Sequence, residues 1–308
     1  MSSVSSSALF GASPVALLEV AVTVAAEGTL PPDTLTAAAR EAAPLVATVS
    51  TDKLRAGIEA VIMGRSLDLG LQWMQEAGVL GVLLPELSAT VDFSQEAGRR
   101  HKDVWEHTKQ VVRQSVPHPL VRWAALLHDI GKVPTRVMLP DGRVTFHRHA
   151  EVGARMWDAV SRRLGFDKPE RHKIRFLILH HLRANAYESG WTDAAVRRFD
   201  HEMGEHLDDL LDLSRADVTS RRPGRRQEAV ANIHALKERI LAIRELDARV
   251  PPLPPGLGNA IMDSFGIPPS RRIGDLRKLC QDAVERGELE ERRDAPYYLD
   301  YLRKQGVV

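Results

Sequence analysis

"HPLVRWAALLHDIGK" (residues 118–132) is the stretch on which the reading of this chain turns. Pro119 stands where the first turn of a helix tolerates a missing N–H, apolar residues run from Leu120 to Leu127 around Arg122, and Gly131 closes the run. The pattern predicts a core helix whose C-terminal end delivers His128 and Asp129 side by side. A lone histidine there would read as a hydrogen-bonded core residue. A carboxylate beside it is costly to bury without a partner, so the pair demands company.

Outward from this helix, almost every segment is helical in period. Leu17, Val20, Ala21 and Val24 recur at three and four, as do Leu54, Ile58, Val61 and Ile62, and Leu207, Leu210 and Leu211. "PPDTL", "STDKL" and "WTDAAV" each offer Ser, Thr or Asp ahead of a helix. The exception is "RVMLPDGRVTF" (136–146), where "PDG" between two short β-tolerant runs predicts a small hairpin or an irregular loop. The expected fold class is therefore all-α. Breaks fall at 27–33, 85–90, 221–226 and, most clearly, at the proline-rich 250–256. They divide the chain into a helical region at 1–95, a central helical domain at 96–249 and a C-terminal helical module at 257–308.

The 308 residues are 44% apolar and 27% charged, with a net charge of +1, so no overall field draws the chain to nucleic acid or a membrane. Cys280 is the single cysteine, which excludes an intramolecular disulfide and fits a reducing compartment. The apolar stretch at 14–26 lacks the basic start of a secretory signal, because the first Lys or Arg is Arg40 and Glu19 interrupts it. No run approaches the ~18–20 uncharged apolar residues of a membrane span. The expectation is a soluble, cytoplasmic protein without membrane contact.

The company that His128 and Asp129 need is spread along the chain. "DVWEHT" offers His107, with Asp103 one turn before it. "FHRHAEVGA" offers His147 and His149 at the start of a helix, "FLILHHLR" ends an apolar helix with His180 and His181, and "LLDLSRADVTSR" places Asp217 near a helix end. Imidazole and carboxylate groups delivered by several buried helices are what a metal site inside a bundle requires. His101, His118, His172, His201, His206 and His234 have no such pattern and read as surface or packing residues. Asp208, Asp209 and Asp212 alternate with leucines as the solvated face of a helix.

The ordered series His107, His128-Asp129, His149, His180-His181, Asp217 resembles the HD superfamily of metal-dependent phosphohydrolases, in the H…HD…H…HH…D order of its two-metal members. The resemblance implies an HD-domain helical bundle and two divalent transition metals (Mn, Fe, Co, Ni or Zn, with Mg also accepted). It assigns His107, His128, Asp129 and Asp217 to one metal, with Asp129 bridging, and His149, His180 and His181 to the other. A water between the cations would be the nucleophile on phosphorus, and Lys132 matches the "HDxGK" lysine that contacts phosphate. Asp129 and Lys132 are thus the expected catalytic residues, and Lys132, Arg183 and Arg221 the expected substrate-binding ones.

Longer stretches are similar to the CCA-adding tRNA nucleotidyltransferases and poly(A) polymerases. Residues 29–87 resemble their helical neck and body, "DVWEHT", "FHRHAEVGA", "HHLR" and "RADVTSRR" the HD domain of bacterial members, and "IMDSFGIPPSRRIGDLRKLCQDAVERGELEERRDAPYYLDYL" their C-terminal module. Their catalytic head needs a Gly-Ser pair and an Asp-x-Asp pair, and residues 1–100 contain neither. The expected activity is hydrolysis of nucleotides or RNA ends, such as 2′,3′-cyclic phosphates. The alternative is a non-catalytic RNA-binding or regulatory remnant, or a partner subunit of a nucleotidyltransferase. The arginines of "RRPGRR" (221–226) offer forked contacts to RNA phosphates, including those of tRNA.

Overall fold

The computed structural model describes residues 6–93, 103–220, 224–249 and 251–307. The chain is all-α, as expected. Seven helices come first: α1 (Ser6–Ala12), α2 (Ala16–Glu27), α3 (Asp33–Ala42), α4 (Thr51–Met63), α5 (Leu67–Glu76), α6 (Val79–Leu83) and α7 (Pro85–Ser88). The central stretch carries α8 (Val104–Gln114), α9 (Pro119–Leu127), α10 (Lys132–Thr135), α11 (His149–Arg163), α12 (Lys168–His180), α13 (Asp193–Met203) and α14 (Leu207–Asp217). Then follow α15 (Arg225–Arg249), α16 (Leu257–Phe265), α17 (Arg271–Glu285) and α18 (Ala295–Lys304).

Among the described residues the one sheet is a hairpin within 136–146, the first of the two forms, hairpin or irregular loop, expected there. Strands β1 (Val137–Met138) and β2 (Val144–Thr145) pair antiparallel, Val137 opposite Thr145 and Met138 opposite Val144. Gly142 turns the corner at φ 80°, a left-handed conformation that suits glycine, and its N–H donates to the Leu139 carbonyl at 2.9 Å.

Two compact units result, Met1–Ala186 with Asp208–Val230, and Tyr187–Leu207 with Ala231–Val308. They do not coincide with the three segments expected at 1–95, 96–249 and 257–308. The physical reason is that the early helices and the His-Asp helix share one core. Trp123 of α9 is fully buried and donates through Nε1 to Glu59 of α4 at 3.1 Å. Arg122, also buried, donates to the Ile62 carbonyl at 2.7 Å, and Trp105 of α8 donates to Gln72 of α5 at 3.1 Å. Arg55 of α4 grips Glu170 of α12 with both guanidinium branches. Glu170 also closes a capping box with Asp167, which starts α12.

The other unit has its own apolar centre, built from Leu257 and Ile261 of α16, Leu276, Cys280 and Val284 of α17, and Tyr298, Leu299 and Leu302 of α18. Within it Arg197 of α13 reaches Asp247 and Glu291, at 2.6 Å in each case. Burial pushes the Cys280 thiol up to about 11, so it behaves as a packing residue. No helix among the described residues is long and apolar enough to cross a membrane.

Candidate metal centre

The end of α9 behaves as its sequence predicts. Val121 and Trp123 to Leu127 are fully buried, and the chain leaves the helix with His128 at 0% and Asp129 at 2% exposure. His128 donates its Nδ1–H to the Ala125 carbonyl, three residues back, at 2.8 Å. The same local bond recurs twice. His149, at the start of α11, donates Nδ1–H to the Phe146 carbonyl at 2.9 Å, and His181, just past α12, donates to the Ile178 carbonyl at 2.7 Å. A carbonyl only accepts, so each of these rings carries a proton on Nδ1 and turns its Nε2 into one shared space.

Asp129 stands in the middle of that space. Its Oδ2 lies 3.3 Å from His107 Nε2 and 3.2 Å from His128 Nε2, and its Oδ1 lies 3.5 Å from His149 Nε2 and 4.0 Å from His181 Nε2. Asp217 closes the first side, with Oδ1 at 3.0 Å from His107 Nε2 and 3.5 Å from His128 Nε2. Two groups able to hold a metal ion follow, His107–His128–Asp129 and Asp129–His149–His181. Nε2 atoms face each other at 3.2 Å (His107 and His128) and 3.3 Å (His149 and His181). Two lone pairs at that separation repel unless a cation or a proton lies between them. Asp129 Oδ1 decides the fit: it is buried and no hydrogen-bond donor reaches it. An unpaired carboxylate oxygen ringed by imidazole lone pairs is costly in a protein interior and is satisfied by a divalent cation.

The HD domain family matches residues 95–222, the stretch that holds every one of these ligands. The chain carries an HD domain. It is 31% identical over 251 residues to the A-adding tRNA nucleotidyltransferase of Deinococcus radiodurans, covering 79% of this chain and 56% of that one. It is 30% identical over 258 residues to the CC-adding tRNA nucleotidyltransferase of Thermus thermophilus, covering 82% and 57%. A shorter match, 35% over 111 residues, is to the multifunctional CCA protein of Ectopseudomonas mendocina, covering 34% of this chain and 26% of that protein. The chain thus spans just over half the length of the first two relatives.

Electrostatics within the HD centre separate its two sides. Burial opposes ionisation of Asp129, yet the charges of His128 and Lys132 and hydrogen bonds from His107 and His128 hold its carboxyl well below the usual range. Asp217 is likewise buried and likewise held low, by hydrogen bonds from His107 and His128. Burial works against protonation of His128 as well, but Asp129 and Asp217 overcome it and raise the ring to about 10. His107 moves up for the same reasons. His181, buried and facing the charge of His128, is pushed down to about 4, and burial lowers His149 too. The His149–His181 side therefore keeps its lone pairs free at neutral pH. The His107–His128 side must exchange protons for a cation, so binding there releases protons.

Of the residues expected from the sequence, six are brought together: His107, His128, Asp129, His149, His181 and Asp217. His180 belongs to neither group; its ring lies against Phe176, centroids 4.4 Å apart. Successive residues on a helix point about 100° apart, so a turn that aims His181 inward sends His180 elsewhere. Lys132 Nζ sits 2.7 Å from Asp129 Oδ2, at the rim of the cluster. Arg183 is half-buried two residues past His181, and its N–H donates to the His180 carbonyl at 2.9 Å. Arg221 lies outside the described residues, as do residues 222 and 223 of "RRPGRR", while Arg225 and Arg226 are exposed at the start of α15. Asp103 caps α8, accepting from the N–H groups of Trp105 at 2.7 Å and Glu106 at 3.2 Å.

Three positions had no role in the centre from the sequence. Thr219 Oγ1 lies 2.9 Å from His107 Nδ1 and orients the one imidazole that has no local carbonyl to hold it. Its place two residues after Asp217 was the available signal. Arg148 takes a left-handed φ of 61° immediately before His149, a conformation uncommon outside glycine that swings His149 into the centre. Gly131 is needed for space: a Cβ there would stand 2.0 Å from the His149 carbonyl oxygen and 2.6 Å from the Gly153 nitrogen. Thr219→Val should weaken metal binding about 10–100-fold, the usual effect of removing a group that orients a ligand. Competition with a chelating dye measures this, and an unchanged constant would remove Thr219 from the centre.

Proposed function

We propose that the chain is a metal-dependent phosphohydrolase acting on nucleotides or RNA ends, such as 2′,3′-cyclic phosphates. The observation that carries this reading is the unpartnered Asp129 Oδ1 among inward-turned imidazoles. In this proposal His107, His128, Asp129 and Asp217 hold one divalent cation, and Asp129, His149 and His181 a second. Bound there, such cations would supply Lewis acidity at phosphorus and acidify a water for in-line attack. The imidazole-rich set favours Mn, Fe, Co, Ni or Zn over Mg. Two carboxylates do not neutralise two divalent cations, so the centre keeps a positive balance suited to a phosphate group. Lys132, already at the rim, adds a charge-assisted donor for a phosphate oxygen, and Arg183 offers a planar fork nearby in sequence.

The nucleotide or RNA character of the substrate rests on the relatives, whose names describe tRNA nucleotidyltransferases. Contact with tRNA is part of the same proposal. A screen of nucleoside monophosphates, cyclic mononucleotides, cyclic dinucleotides and RNA bearing 2′,3′-cyclic or 3′-phosphate ends tests it. Release of phosphate, or ring opening, should disappear with chelator and return with Mn, Co or Ni. Lys132→Ala should lower kcat/KM by about tenfold or more with metal content unaltered, the loss of one charge-assisted phosphate contact. A metal-loaded protein that binds tRNA yet hydrolyses none of these substrates would instead assign it a non-catalytic, RNA-binding role.

A further inference from the structure

Phe146 connects the metal centre to an aromatic surface that the hydrolytic reading does not use. Its carbonyl holds His149 through Nδ1, while its ring, half-buried, lies 5.7 Å from Lys132 Nζ. Phe93, also half-buried, packs against that ring with centroids 6.2 Å apart at 51°. Over Phe93 stands the guanidinium of Arg136, 5.1 Å from its centroid, at the root of the hairpin. Lys132 thus touches two different environments. Its ammonium reaches the carboxylate of the cluster at 2.7 Å and, on another side, the face of a phenyl ring.

Two half-exposed phenyl rings beside so polar a cluster leave apolar area facing water, where a planar ligand would cover it. The phosphate and the base of a nucleotide are one sugar apart, which matches a cationic group placed beside an aromatic face. We propose that Phe146, backed by Phe93 and Arg136, is the platform on which the base of a nucleotide or RNA terminus stacks while its phosphate lies at Lys132. This rests on the phosphohydrolase reading for the phosphate and adds the base as the second recognition element. Stacking on an aromatic ring is tolerant of base identity. The site should therefore distinguish nucleotides from phosphosugars and discriminate weakly among the four bases.

The test is binding, read by calorimetry on the metal-loaded full chain, with hydrolysis-resistant phosphonate analogues of adenosine 5′-monophosphate and of ribose 5-phosphate. The wild-type protein should bind the adenosine compound at least about tenfold more tightly, within the range that base–aromatic stacking supplies. Phe146→Leu should erase that preference and leave the ribose compound unaffected, and Phe146→Tyr should restore it. All three proteins should hold the same amount of metal. Equal wild-type affinities, or a preference that survives Phe146→Leu, would overturn the platform. So would loss of metal in Phe146→Leu, since the ring would then serve only to support His149. Intact base preference in a protein that hydrolyses no phosphate ester would refute the hydrolase and leave the platform standing.

Discussion

Asp129→Ala is expected to empty the HD centre completely. The carboxylate is the one group shared by both sets of imidazoles, with Oδ2 toward His107 and His128 and Oδ1 toward His149 and His181. Without it each side keeps two imidazoles but loses the anion between them, and Asp217 is the one carboxylate left to the first side. Lys132 Nζ and His128 lose their nearest counter-charge in a place that is almost fully buried. Breaking a buried pair from one side costs on the order of 3–5 kcal/mol, so the variant should also melt earlier. Wild-type protein purified without chelator should carry close to two metal equivalents by elemental analysis, and Asp129→Ala close to none. Asp129→Asn, which keeps the volume and loses the charge, should behave alike. Wild-type metal content in either variant would sink the bridging role.

A second large effect is expected from the smallest substitution, Gly131→Ala. Gly131 has an ordinary right-handed conformation, with φ −69° and ψ −12°, so its backbone does not require glycine. The requirement is space against the first turn of α11, where a methyl group would stand 2.0 Å from the His149 carbonyl oxygen. The helix must move, and His149 moves with it. Overpacking of this kind costs about 1–3 kcal/mol, or roughly 2–4 °C in Tm for each kcal/mol in a domain of this size. The Asp129–His149–His181 group should lose its metal while the His107–His128–Asp129 group retains one, leaving about one equivalent per chain. Unchanged melting and metal content would show that α11 yields without cost.

The helical class and the register of α9 were legible in the residues, because helical period is a local, one-dimensional signal, while the candidate ligand set came from the resemblance of the ordered histidines and aspartates to the HD superfamily. His-Asp at the end of a core helix carries no signal alone; it points to a metal site only in the company of the other histidines and aspartates in their order along the chain. The hairpin was readable from "PDG" for the same reason. Other features depend on directions that spacing does not carry. Which of two adjacent histidines, His180 or His181, turns inward is settled by the angle at which α12 ends. The proton on Nδ1, which leaves Nε2 to face the centre, is set by carbonyls three residues back at Ala125, Phe146 and Ile178. Thr219 behind His107, the clearance at Gly131 and the ring of Phe146 beside Lys132 arise from segments far apart in the chain. The packing of α4 and α5 on α8 and α9 likewise joined two segments that a break near residue 95 had suggested were separate. Composition and period state what a helix must bury and on which stripe; the neighbour that covers the stripe, and the distance at which it does so, come from close packing in three dimensions.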